Sequence, residues 1–89
     1  MNIGQAVEAL KDGKFVQRAG WNGKGMHIYM EEGSTFAKGT GSQRWYEPHL
    51  VLFTAQKTHQ PGWNASTPDL LADDWQLADM ERGKLATGQ

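Results

Sequence analysis

Only one segment of this chain carries a clean helical period, and it lies at the start: Asn2-Ile3-Gly4-Gln5-Ala6-Val7-Glu8-Ala9-Leu10-Lys11-Asp12-Gly13. Ile3, Val7 and Leu10 recur at i, i+4 and i+7 with Ala6 beside them, which gives a helix one apolar face. Asn2 is a favourable N-cap, and Gly13 supplies the left-handed position that commonly ends a helix. Beyond Gly13 the pattern changes to period-2 alternation broken by glycine and proline. The apolar stripe of a single helix must then be buried on a sheet, which defines an α+β fold.

The sheet is expected to be mostly antiparallel, with four or five short strands. Lys14 to Ala19 alternates Phe15, Gln17 and Ala19 against Val16 and Arg18. Met26 to Met30 places Met26, Ile28 and Met30 inward and His27 and Tyr29 outward. These two segments pair as a hairpin. Gly33 to Arg44 is polar and glycine-containing and reads as a long loop. His49 to Ala55 forms a third strand, with Leu50 and Leu52 on one face and Val51 and Phe53 on the other. Gln56 to Gly62 turns, with a short strand ending at Trp63. A second, short helix starts at Ser66, with Thr67 as N-cap and Pro68 in the first helical position. Asp74 to Leu77 is the last strand. Residues 1–78 form one ligand-binding domain, and 79–89 a polar, frayed tail.

The chain has 89 residues, no cysteine, four tryptophans and a formal net charge of −1. A domain this small buries a limited core, and without cysteine neither disulfides nor thiolate metal sites can reinforce it, so oligomerisation is the expected remedy. The near-neutral charge argues against long nucleic acid as partner, since such binders carry a basic stripe. No apolar run approaches the ~20 residues of a membrane span and no secretory signal opens the chain. A soluble, cytoplasmic protein is expected.

Two stretches could carry chemistry. Arg18-Ala19-Gly20-Trp21-Asn22-Gly23-Lys24-Gly25 lacks the spacing of a Walker loop or a dinucleotide fingerprint. Its glycines allow close backbone approach to an anion, Arg18 and Lys24 supply charge, and Trp21 offers a stacking platform for a base. On these residues alone the hairpin turn with Asn22-Gly23 at its tip is the favoured reading. Trp63-Asn64-Ala65-Ser66-Thr67-Pro68-Asp69 reads either as plain capping or as a helix start that receives an anion, with Asn64 placed to meet a base edge or ribose hydroxyl. Asp73 and Asp74 point to opposite faces of an extended segment and share a metal poorly. His27, His49 and His59 lie on separate elements. No nucleophile–base pair stands out, so no catalytic residue, metal or cofactor is expected.

Taken together, Gln17-Arg18-Ala19-Gly20-Trp21-Asn22-Gly23-Lys24-Gly25-Met26, Tyr46-Glu47-Pro48-His49 and Ala65-Ser66-Thr67-Pro68-Asp69-Leu70-Leu71-Ala72-Asp73-Asp74-Trp75 resemble the second Thoeris anti-defence family of phage and prophage domains. The resemblance implies a sponge and not an enzyme. Such a protein sequesters nucleotide second messengers of bacterial immunity: glycocyclic ADP-ribose, and in some members the cyclic di- or trinucleotides of CBASS at a separate site. It also implies a homotetramer with pockets between subunits, in the cytoplasm of the host. Carried onto this chain, Trp21 and Trp75 are the aromatic candidates and Asp74 would bond ribose or adenine, with Asn64 added to it by its position just ahead of the matching stretch. Arg18 and Lys24 would meet phosphates, and Gly23 and Gly25 would offer backbone donors. Asn22, Ala65 and Ser66 complete the ligand-binding set, and Arg44 and Lys57 are further cations for a second anionic site. The competing readings are a small nucleotide hydrolase using Asp74 or Asp73, and a non-catalytic structural phage module.

Overall fold

The computed structural model describes residues 1–21, 25–36 and 41–78, with the side chains of 34–36 left aside. Seven elements follow in order: α1 (Ile3–Lys11), β1 (Val16–Arg18), β2 (His27–Phe36), β3 (Gln43–Phe53), β4 (His59–Pro61), α2 (Thr67–Leu71) and β5 (Trp75–Leu77). The five strands form one sheet in the order β4-β3-β2-β1-β5, and every neighbouring pair is antiparallel.

The expected first helix is present with its caps. The Asn2 side chain accepts from the Gln5 N–H, and the Gln5 side chain accepts from the Asn2 N–H, a reciprocal capping box. Gly13 follows the helix at φ +83°, the left-handed region that glycine occupies without strain. Ala6 and Leu10 are buried, and α1 lies against one face of the sheet, where Val16, Ile28 and Trp75 complete a core flanked by Leu50, Leu52, Trp21 and Trp63.

The opposite face corrects one expectation. His27 and Tyr29 alternate with Ile28 as anticipated, yet they do not face water: both are buried. Phe15, Tyr29, Val51, Phe53 and Ala78 form a second core there. Alternation assigns residues to faces but does not say whether a face is wet. Here the aromatic rings cover one another, with Phe15 and Tyr29 edge-to-face at 5.6 Å.

Of the expected loop over Gly33–Arg44, residues 33–36 and 43–44 are strand. β2 continues to Phe36 and β3 begins at Gln43, so the two form a long ribbon; residues 37–40 lie outside the described set. These two strands, of 10 and 11 residues, are not short. The register runs Glu31↔His49, then Gly33↔Tyr46, so Glu47 and Pro48 oppose Glu32 in a β-bulge. Pro48, lacking an N–H, is tolerated there because the ladder is already interrupted. Gly33 takes φ +118° beside the bulge. The ribbon was hidden in the sequence because glycines and polar residues interrupt it, with no apolar alternation to mark it.

The second helix is capped by Ser66 and not by Thr67, which occupies the first helical position ahead of Pro68. Ser66 and Asp69 form a second capping box. The final strand begins at Trp75, and its partner is β1.

Candidate functional site

The start of the Arg18–Gly25 stretch and the end of the Ala65–Trp75 stretch meet at the seam between β1 and β5. The register pairs Val16 with Leu77, Gln17 with Gln76 and Arg18 with Trp75. Beyond the last pair, the Ala19 N–H donates to the Asp74 carbonyl at 3.0 Å. The start of one stretch is therefore zipped to the end of the other, and their side chains follow.

Arg18 is the cross-link. Its Nε donates to Asp74 Oδ1 and its Nη1 to Asp69 Oδ1, each at 2.9 Å. Asp74 uses its second oxygen as well, accepting from the Gly20 N–H at 3.2 Å. Asp69 Oδ2 accepts from the Ser66 N–H at 2.9 Å and the Ser66 hydroxyl at 2.8 Å. One guanidinium thus ties the Gly-rich connection both to the N-terminus of α2 and to the lead-in to β5. The fixed fork of arginine donors suits this task, which a point-charge ammonium cannot perform in the same geometry.

The electrostatics follow from these bonds. The Arg18 hydrogen bond holds the Asp74 carboxyl below the usual carboxylate range, with burial opposing it and the Gly20 N–H assisting. Burial pushes the Asp69 carboxyl upward, but the Ser66 backbone and hydroxyl bonds and Arg18 together bring it below its ordinary value. Arg18 is held charged more firmly still, chiefly by Asp74 and then Asp69. One cation and two anions leave this trio with a net charge of −1. Arg18 is therefore committed to carboxylates, and Asp74, ionised with both oxygens engaged, is poorly suited to act as a general base.

Beside the trio lies a cluster of three indoles. Trp21 and Trp75 meet edge-to-face at 5.6 Å, Trp63 and Trp75 at 6.1 Å, and Trp21 and Trp63 at 6.4 Å. Trp75 is the buried hub, 2 % exposed, and its Nε1–H donates to the Asp69 carbonyl at 3.0 Å. Trp21 and Trp63 are half-buried and retain accessible surface. Trp63 is brought here by a turn at Gly62 (φ +83°), where the N–H groups of Gly62 and Trp63 both donate to the Leu50 carbonyl. The Met1 amino group donates to the Trp75 carbonyl at 2.6 Å and closes the far side.

Of the anticipated site residues, Arg18, Trp21, Ser66, Asp74 and Trp75 converge on this seam. Asn64 is exposed and Ala65 half-buried, in the turn between Trp63 and the Ser66 cap. Gly25 is exposed at φ +82°, at the far end of the connection. Asn22, Gly23 and Lys24 lie outside the described residues. Arg44 and Lys57 sit near opposite ends of β3, roughly 30 Å apart along an extended strand, so one chain does not bring them together. Sequence reasoning overlooked Asp69 as a partner of Arg18, and Trp63 as the third indole. The spacing Ser66-x-x-Asp69 signals a cap, but nothing local signals the bond to Arg18. Among the described residues no group of three or more histidines and carboxylates is arranged to hold a metal ion. None of the described helices is long and apolar enough to cross a membrane.

Fold and site together define a domain of two helices and a five-strand antiparallel sheet, with a tryptophan and carboxylate cluster at the seam of its first and last strands. The Tad2-like family, described as the Thoeris anti-defense 2-like domain, matches residues 1–78. A curated relative, Thoeris anti-defense 2 of Bacillus phage SP01, is 31% identical over 83 residues, which span 86% of this chain and 93% of that protein. The chain belongs to the Thoeris anti-defense 2 family. That membership supports an anti-defence role.

Proposed function

We propose that this protein is a sponge that binds nucleotide second messengers of bacterial immunity, foremost glycocyclic ADP-ribose, and holds them without cleavage. The observation that carries this reading is the seam itself. Two of the three stretches that bear the family resemblance are joined by contacts 51 and 56 positions apart, as Arg18, Asp69 and Asp74 lock them into one surface beside the accessible faces of Trp21 and Trp63. A half-buried indole next to exposed hydrogen-bonding groups at Asn64 and Ser66 suits a purine and its ribose. Arg18 serves here as the organiser of the site. Phosphate charge falls to the backbone of the Gly-rich connection and to Lys24.

A cyclic ligand is already preorganised, and a pocket held by charge-assisted bonds is too, so little conformational entropy is lost on binding. Sequestration then depends on slow release. Large apolar side chains exposed on the single chain, among them Trp45 (67 %) and Leu71 (77 %), support burial between copies, in line with a homotetramer whose pockets lie between subunits. Cyclic di- or trinucleotides of the CBASS type are proposed as further ligands, and the host cytoplasm as the location.

The test is to incubate the protein with glycocyclic ADP-ribose, remove free compound, denature, and chromatograph what is released. Stoichiometric recovery of unmodified ligand is expected. A new product peak would instead favour a hydrolase, and no uptake of this or a cyclic trinucleotide would favour a structural module.

A further inference from the structure

His27 lies two residues beyond the Gly-rich connection, and the site described so far makes no use of it. Its side chain is 0 % exposed. The ring stacks on Phe53 at 5.0 Å with 26° between planes, and lies 5.2 Å from Phe15. Nδ1 is 2.6 Å from the Gly25 carbonyl oxygen. A carbonyl only accepts, so Nδ1 carries the proton, and Nε2 of the neutral ring bears a lone pair. That Nε2 is buried with no hydrogen-bond partner among the described residues. An unpaired buried acceptor is destabilising, and an apolar aromatic ring in this slot would stack on the same neighbours without that cost. What histidine adds at this position is a single N–H aimed at Gly25.

Gly25 is where such a bond matters. At φ +82° it sits in the left-handed region, and glycine visits either sign of φ with similar ease. Its conformation must therefore be selected by something outside itself. At the other end of the connection, Asp74 already grips Gly20 and Arg18.

We propose that His27 is a positioning residue: its Nδ1–H, held in place by the aromatic slot, fixes the Gly25 carbonyl and with it the β2 end of the Gly-rich connection. The ligand readout rests on the sequestration reading above; the tether itself does not. Burial holds the imidazole below its ordinary value, with the Gly25 bond opposing and His59 adding to the effect. The titratable groups facing the ring among the described residues are the Tyr29 phenol on its own strand and the His59 imidazole of β4, which are hydrogen-bonded to each other at 2.8 Å. Acid works against the ring in this slot, because burial disfavours its charged form.

The experiment compares the wild type with His27→Asn, which keeps an N–H where Nδ1 stands, and His27→Phe, which keeps the ring and loses the donor. Thermal melting, amide exchange at Gly25 and Met26, and calorimetry with glycocyclic ADP-ribose are measured at neutral pH. His27→Phe is expected to melt close to the wild type, to exchange faster at Gly25 and Met26, and to bind roughly tenfold more weakly, the effect of one hydrogen bond. His27→Asn, though less stable, is expected to bind within about threefold of the wild type. Affinity that instead follows melting temperature, with His27→Phe binding as the wild type does, overturns the proposal. If the wild type takes up no ligand, the sequestration reading fails, and the exchange data alone judge the tether: unchanged rates in His27→Phe overturn it. Should His27→Phe fail to fold, the imidazole nitrogen shifts of the wild type decide, since a proton found on Nε2 at neutral pH overturns the assignment.

Discussion

Arg18 Nε and Asp74 Oδ1 stand 2.9 Å apart across 56 positions of sequence, and the same guanidinium reaches Asp69 at the head of α2. This bridge aligns the Gly-rich connection with the α2–β5 segment, and the geometry needs the arginine fork. Arg18→Lys keeps the charge but cannot span both carboxylates. We expect it to lower the melting temperature by about 5 °C or more and to weaken glycocyclic ADP-ribose at least tenfold. Wild-type melting and affinity in this variant would show that the bridge does not organise the site.

The three indoles differ in what they should do. Trp21 is half-buried and packs edge-on to Trp75, so Trp21→Ala removes a stacking surface while leaving the core closed. A stacked base contributes about 1–3 kcal/mol, so affinity should fall by roughly one to two decades with the fold retained. Trp75 is the buried hub of the core beneath α1, and Trp75→Ala should cost about 3–5 kcal/mol and unfold much of the population. Circular dichroism melts beside calorimetry separate the two. Equal loss of stability in both variants would contradict the distinction.

How much of this was legible in the sequence depends on whether the determinant is local. α1 was readable because Asn2, the Ile3–Val7–Leu10 stripe and Gly13 all lie within twelve residues. The faces of β3 were readable for the same reason, with Leu50 and Leu52 assigned opposite to Val51 and Phe53. The seam was not readable: β5 is last in sequence but pairs with β1, and only the packing of Trp75 under α1 explains that placement. For the same reason Arg18 read as a phosphate anchor, since its two carboxylate partners are far along the chain. His27 read as outward-facing because alternation cannot distinguish water from a second core.

Ser66 offers a test of whether α2 positions the site. Its hydroxyl accepts from the Asp69 N–H and donates to Asp69 Oδ2, and the same carboxylate holds Arg18 through its other oxygen. Ser66→Ala should cost about 1 kcal/mol through loss of the cap, or roughly 4–8 °C in a domain of this size. Because Asp69 also loses a partner that orients it, ligand affinity should fall with stability. Ser66→Asp restores an N-cap acceptor but sets a second carboxylate beside Asp69, so it should recover the helix less well than Ser66→Thr. Melting curves of the three variants give the order directly.

The stability of the protein should fall in two separate stages as the solution is acidified. Burial first, then the neighbouring His59, keeps the His27 imidazole below its ordinary 6.5 in the folded state, with the Gly25 bond opposing. The unfolded chain therefore takes up a proton first as pH drops through that value. Stability must decline there, by at most about 1.4 kcal/mol per pH unit for one group, until the folded ring is itself protonated or expelled. Asp69 and Asp74 behave in the same sense at lower pH. Both carboxyls lie below their ordinary 3.8 in the folded state, so their contribution is complete at neutral pH and is lost as the solution passes below that value. Melting temperatures between pH 8 and pH 3 should show a plateau, a first descent beginning near 6.5, and a second below about 4. His27→Phe should abolish the first descent and keep the second, whereas Asp74→Asn should blunt only the second. A single descent confined to the carboxylate range in the wild type would mean that His27 titrates in the fold as it does in the unfolded chain.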